Sequence, residues 1–387
     1  MVQYVGDHDG RDTRSLWRHV FRLAANAHIS SFAFDNESLV KRLLIIALAL
    51  VLASPAVADI PPPGQHTASP KFWKTAHRWV TNFSPFAFDG PVTGLISDRS
   101  GGAWFGLGQT VEHISSFGAV QNYTITKQWL WQVWSLARDP SGRIWFSLGQ
   151  SGRIGTLDKY GRAYTLVVVA RRFNPDIRKI VFAPNGDLWF QDYGRASIGR
   201  RSSDGSVKEI PTANGAWPID IEFCNGRMWA VTQGNAHDAI YRIDGNLDSV
   251  FRFHDWKRYG ESSLACDAGG RLWYSHFSAY RTYSRQGYID RDGGTYEAAA
   301  MLQDERVFSA PDRGTVWFSG FRSFAPTAYD RARLTLLERN GKGQTVNDMT
   351  LPIPWPVFSG TLTAARDGTV WLGIWYPHSV VRLSHFR

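Results

Sequence analysis

Four titratable side chains stand where they could do chemistry together. Counting eleven residues back from each of seven evenly spaced tryptophans gives Thr93, Trp134, Arg178, Ser262, Arg306 and Gly360, with Ile219 in a fourth repeat that is one residue shorter. Counting three residues forward gives Leu107, Leu148, Asp192, Thr232, His276, Gly320 and Ile374. Among these, Arg178, Arg306, Asp192 and His276 are the reactive types. A guanidinium pair such as Arg178 and Arg306 would hold a carboxylate or sulfate. His276 could act as a general base near neutral pH. Asp192 could orient it, or hold a divalent cation such as Mg2+ or Ca2+. The alternative is an Arg–Asp ion pair lining a wet channel, with His276 a surface residue.

Those counts need a scaffold, and the tryptophans supply one. A Gly-containing turn, a small or apolar residue and then Trp recur as GGAWF (Trp104), SGRIWF (Trp145), NGDLWF (Trp189), NGRMWA (Trp229), GGRLWY (Trp273), RGTVWF (Trp317) and DGTVWL (Trp371). Successive spacings are 41, 44, 40, 44, 44 and 54 residues. A period in the low forties is that of a four-stranded propeller blade. Apolar strands precede the turns (IVFA at 180–183, IEFC at 221–224), and third strands follow (IGTLD at 154–158, YRID at 241–244). The fold expected is all-β, a seven-bladed β-propeller, with the seven indoles packed between neighbouring sheets. The seventh repeat ends one strand short, at SVVRLSHFR. HRWVTNF at 77–83 is expected to supply the missing outer strand and so remove the free edges.

In a propeller the loops after the Trp strands, and the segments leading into each inner strand, share one face. Here that face takes the insertions, among them KQWLWQ at 127–132 and PIPWPV at 352–357, and it collects aromatics. Trp131, Trp134, Trp217, Trp256, Trp355 and Trp375 are candidate ligand-binding residues, together with Arg178 and Arg306. Trp129 and Tyr259 lie in the same set of loops. Flat rings suit sugars, macrocycles or peptide side chains. About half of these rings are expected to be structural, since Trp is so often buried.

The chain carries +9 formal charge. Residues 1–58 hold six basic and five acidic residues, leaving +8 on the rest. The cations are scattered through turns and match no nucleic-acid-binding motif, so no nucleic-acid partner is expected. Lys41-Arg42, the apolar run 43–53 and Ala56-Val57-Ala58 form the three parts of a secretory signal. Eleven apolar residues are too few for a span, which needs about 20. The expected organisation is a mis-annotated extension at 1–39, with Val40 as the true start; a signal peptide at 40–58; a linker at 59–76; and the propeller at 77–387. The mature chain is expected to be monomeric, secreted or periplasmic, with no transmembrane segment. Cys224 and Cys266 occupy near-equivalent places in adjacent repeats. They form either a bridge between neighbouring strands or two buried thiols.

The phrases GRIWFSLGQSGRIGTLDKYGRAYTL and GDLWFQDYGRASIGRRSSDGSVKEIPT resemble the virginiamycin B lyase family, over about residues 77–386. The resemblance implies a seven-bladed propeller. The family opens streptogramin lactones by elimination, with Mg2+, a catalytic His eleven residues before a repeat Trp and a metal-binding Glu three after it. No blade here carries that pair. Blade three has Arg178 and Asp192, and blade five has Ser262 and His276. Two classes of function follow. One is a binding propeller for a small-molecule, glycan or peptide ligand, ring-bearing and anionic. The other is an enzyme, a divergent lyase or lactonase-like hydrolase with a metal at Asp192. A protein-interaction scaffold is the third alternative.

Overall fold

The computed structural model describes residues 71–74, 78–83, 91–128, 131–157, 163–168, 175–234, 239–244, 247–252, 260–278, 284–299, 302–311, 313–322, 333–354, 359–374 and 379–385. The expected extension, signal peptide and most of the linker, as well as Trp129, Trp256, Tyr259, Trp355 and Trp375, lie outside the described residues. All the described residues belong to one compact unit, Pro63–Arg387. Among them no helix is long and apolar enough to cross a membrane.

The chain forms seven antiparallel sheets arranged as a seven-bladed β-propeller. Six sheets are four-stranded meanders, with the strands in sequence order from the channel outward. Blade three is representative: Ile177–Phe182, Leu188–Asp192, Ser197–Arg201 and Val207–Pro211. The inner strands touch in the order one to seven, and the seventh (Ser359–Ala364) touches the first (Val92–Ser97). The seventh blade is completed from the other end of the chain. Arg78–Phe83 pairs antiparallel with Ser379–His385, from Arg78 opposite His385 to Phe83 opposite Val380. A further strand, Lys71–Lys74, pairs outside it in the segment read as linker, which makes this sheet five-stranded.

Each repeat tryptophan does the same mechanical job. Trp145 of blade two packs with Ile180 and Leu188 of blade three. Trp189 packs with Ile221 and Met228, Trp229 with Leu264 and Leu272, and Trp273 with Val316 and Phe318. Trp317 meets Leu362 and Val370 of blade seven, and Trp371 meets Val92 and Phe105 of blade one. Trp104 packs against the blade-two cluster around Phe146. Every indole therefore wedges its own sheet against the next, all the way around. A truncation at one of these places would cost about 3–5 kcal/mol. Burial leaves the indole N–H needing an acceptor. Asp139 serves Trp145 at 3.0 Å and Asp267 serves Trp273 at 2.8 Å. Trp229 and Trp371 use backbone carbonyls, those of Cys224 and Gly101.

One buried carboxylate makes the fold sensitive to pH. Glu112, on the third strand of blade one, is 3 % exposed and accepts hydrogen bonds from Thr110 (2.9 Å) and Asn122 (2.5 Å). Burial pushes its carboxyl up to about 7, and the two hydrogen bonds only partly offset that rise. Its folded value lies above its unfolded one. The stabilisation is therefore complete below about pH 4.5 and disappears as pH rises through about 7. Glu112→Gln should match the parent in chemical denaturation at pH 4 and exceed it at pH 8 by roughly 1–3 kcal/mol. Equal stabilities at pH 8 would show that Glu112 ionises without penalty.

Candidate functional site

The seven inner strands surround a channel of about 1100 Å³, lined by Thr93, Trp134, Arg178, Ser262, Arg306 and Thr361 among others. Two features of these strands decide which side chains reach it.

The first is a belt. The inner-strand residue opposite the position two past each Trp forms a ring of seven: Thr93, Ser135, Lys179, Asp220, Ser263, Arg306 and Thr361. At four joints this side chain accepts the backbone N–H of the next blade. Ser135 takes Ile180 (3.2 Å), Asp220 takes Leu264 (2.8 Å), Ser263 takes Val307 (2.8 Å) and Thr361 takes Leu95 (3.3 Å). Lys179 and Arg306 carry donors only and break the rule. Lys179 reaches the neighbouring blade instead, at 2.5 Å from Asp220 and 3.4 Å from Glu222. Glu222 in turn accepts from Ser309 of blade six at 2.6 Å. Burial opposes charge on both partners. Asp220 and Glu222 nonetheless raise the Lys179 ammonium, whereas burial holds Glu222 above the usual carboxylate range.

The second is a bulge. In blades two, three, four and seven, one inner-strand residue is extra in the pairing: Trp134, Arg178, Ile219 and Gly360. A bulge re-aims its side chain, and Trp134 and Arg178 both line the channel. Blade five pairs without interruption from Gly260 to Cys266. Blade six has a turn one residue longer. Ala183 bonds to Asp187 across three residues, whereas Ala310 pairs with Thr315 across four. An equal count back from the Trp therefore lands one residue deeper there. Arg306 pairs with Ser319 and stands level with Lys179 and Asp220, below Arg178. Burial lowers its guanidinium to about 10 against the opposing pull of Asp220.

The structure gives the four reactive residues separate surroundings. Asp192 is wholly buried. One of its oxygens accepts the backbone N–H groups of Asp176 (3.0 Å) and Arg195 (3.1 Å). It thereby ties the start of the Arg178 strand to the turn after the Trp strand. Burial raises its carboxyl against those hydrogen bonds. His276 is 4 % exposed, with Nδ1 hydrogen-bonded to the Ser262 hydroxyl at 2.9 Å. Burial and the Arg285 charge push its imidazole down to about 3, so it is neutral and a weak base at pH 7. Among the described residues no three His, Cys, Asp or Glu side chains are grouped to hold a metal ion.

Arg178 sits in a row of rings at the mouth. Its Nε donates to Asp176 at 2.8 Å, and its side chain keeps 38 % exposure. Its guanidinium carbon lies 3.6 Å from the centre of the Tyr193 ring and 5.4 Å from that of Trp134. Tyr193 stacks on Trp217 at 5.8 Å, and Trp217 is 39 % exposed. Gly149 is required here: a Cβ on it would come within 2.2 Å of the Trp134 ring. Alongside, Arg153 lies 4.4 Å over Trp131. All these residues sit at one end of their strands, since Arg153 pairs with Leu148, Ile177 with Asp192 and Trp217 with Gln233. Tyr193 and Asp176 were not among the sequence candidates. Tyr193 lies four residues past Trp189, one beyond the position scanned, and its aromatic character in a turn was the available signal.

No known family profile matches the chain, and no curated protein does. Solved structures do. A streptogramin B lyase is 18 % identical, with a TM-score of 0.64 over 80 % of this chain and 98 % of that one. The virginiamycin B lyase of Staphylococcus aureus is 17 % identical, with a TM-score of 0.61 over 79 % and 99 %. YCF48, solved bound to the D1 peptide, is 12 % identical, with a TM-score of 0.56 over 78 % and 96 %. At these identities the likeness is one of backbone architecture. What the chain shares with the streptogramin B lyases is the seven-bladed β-propeller fold.

Proposed function

We propose that this chain is an extracytoplasmic binding propeller that takes a ring-bearing, anionic ligand on its loop-rich face. The row Trp134, Arg178, Tyr193 and Trp217 carries the reading. It places one oriented cation among aromatic faces at the mouth of the channel, with Trp131 and Arg153 beside it. Export rests on the sequence signal at 40–58. The paired cysteines accord with an oxidising compartment. The surroundings of Asp192 and His276 favour binding over hydrolysis or elimination. The Asp192 carboxylate caps backbone amides, and the His276 imidazole is buried with Nδ1 hydrogen-bonded to Ser262.

The test is binding to printed glycan and peptide arrays by the parent, Trp131→Ala and Trp217→Ala. Losing a stacking face should weaken the recognised ligand by roughly 10-fold or more. Unchanged profiles for both variants would end the proposal. Turnover of a lactone by purified protein, lost in Asp192→Ala, would replace it with the enzyme reading.

A further inference from the structure

The mouth is built as a repeated unit, one arginine against one ring, occurring on blades two and three. Arg153 lies over Trp131 at 4.4 Å. Arg178 lies over Tyr193 at 3.6 Å, with Trp134 at 5.4 Å. In the second unit the geometry of the guanidinium is defined further. Its Nε edge is occupied by Asp176 at 2.8 Å, and a face is covered by the Tyr193 ring. The Nη edge has no hydrogen-bond partner among the described residues, and the side chain lines the channel.

An edge presented in the plane of the guanidinium suits an anion that can offer it two oxygens. A carboxylate is planar and can lie coplanar with the fork, making two parallel hydrogen bonds. A tetrahedral sulfate or phosphate can also engage the fork with two oxygens, but it leaves its remaining oxygens out of that plane and presents no flat face to the rings, so a sulfated glycan is the competing ligand. The neighbouring indoles add a second requirement. A ring bonded directly to the carboxylate would fall against them, whereas an aspartate or glutamate side chain would leave them unused. Two units side by side suit a polymer with one carboxylate on each ring. The net charge of +8 on residues 59–387 attracts such a polyanion over long range.

We infer that the ligand is a linear acidic glycan built of hexuronate residues, its carboxylates read by Arg178 and Arg153 and its sugar faces by the adjoining rings. This deepens the binding reading above and rests on it.

Calorimetric titration of the full chain with oligogalacturonate, dextran sulfate, neutral dextran and poly-L-glutamate decides the matter. The inference expects binding of oligogalacturonate, with little of the other three at 150 mM salt. Arg178→Gln should weaken it by roughly 10-fold or more, and Arg153→Gln by less. Arg178→Lys keeps the charge but loses the fork, and should fall nearer to Arg178→Gln than to the parent. Thermal melts of each variant establish that the fold is intact. If Arg178→Gln does not fold, Arg178→Lys and Arg153→Gln carry the test. Equal affinity for dextran sulfate would overturn the carboxylate assignment. Preference for poly-L-glutamate would overturn the glycan. Uronate binding indifferent to both arginines would overturn the site. If other ring ligands bind in a Trp217-dependent way while uronates do not, the binding propeller stands and this inference alone falls.

Discussion

Deleting residues 70–85 should unfold the whole propeller, not shorten it by a tail. Arg78–Phe83 is an interior strand of the seventh sheet, with Lys71–Lys74 on one side and Ser379–His385 on the other. Its loss would expose the backbone donors and acceptors of the 379–385 strand to solvent as a new edge. Because the seventh inner strand also contacts the first, damage there propagates to the Trp371 wedge, which holds Val92 and Phe105 of blade one. In an open solenoid, losing an end strand is a local event, but in a closed ring no blade is terminal. The expected result is a single cooperative transition moved down by more than about 10 °C, or insoluble protein. Val80→Pro provides a milder version. Val80 pairs with Leu383 on one side and Trp73 on the other, so the missing N–H must break a ladder bond in either direction. A deletion protein that melts at the parental temperature would show that the ring closes without this strand.

The same closure was readable in advance, and it is instructive why other parts were not. The indole period encodes packing between sheets, which needs the same large side chain at the same place in every repeat. Repetition made it visible. The shortage of one strand after Trp371 requires a donor, and HRWVTNF at 77–83, near the start of the expected mature chain, is placed to supply it. Lys71–Lys74 escaped notice because four residues at an outer edge carry no periodicity to find. The depth of Arg306 was misplaced because counting along the sequence assumes equal turns. The additional residue between Ala310 and Thr315 shifts the register without disturbing the Trp spacing. The bulges at Trp134 and Arg178 arise from pairing between strands, which no single strand's sequence shows. The candidate residue types are thus legible in the sequence, while their placement depends on irregularities in the ladders. Tyr193 makes the point most directly. It joins the candidate row through the turn that Asp192 pins, whereas the sequence points to Asp192 as the reactive group.

Breaking the Cys224–Cys266 bond should produce the second large effect, and it separates two accounts of that pair. The sulfurs join the inner strands of blades four and five, with Cα atoms 5.3 Å apart and a sequence separation of 42. Tethering a loop of that length in the unfolded chain is worth about 4 kcal/mol in the chain-entropy account. The native state has its own stake in the bridge. The Cys266 N–H donates to the Ser309 hydroxyl at 2.8 Å, and that hydroxyl donates to Glu222 at 2.6 Å. The strands flanking the bridge therefore also position the Lys179 and Glu222 contact across the channel. Urea unfolding of the parent should lose about 2–4 kcal/mol on adding reductant, while the Cys224→Ala, Cys266→Ala double variant starts at the lower value and ignores reductant. If the whole effect is unfolded-state entropy, the variant will behave as the parent does, once folded, toward the ligand proposed above. If the bridge also holds the channel wall, binding at the mouth will weaken in the double variant even where more than 99 % of the chains are folded (roughly 3 kcal/mol of residual stability suffices). Identical parental curves with and without reductant would mean that blades four and five are held by the packing around Leu264 and Trp229 and by the Asp220–Leu264 hydrogen bond, with no contribution from the bridge.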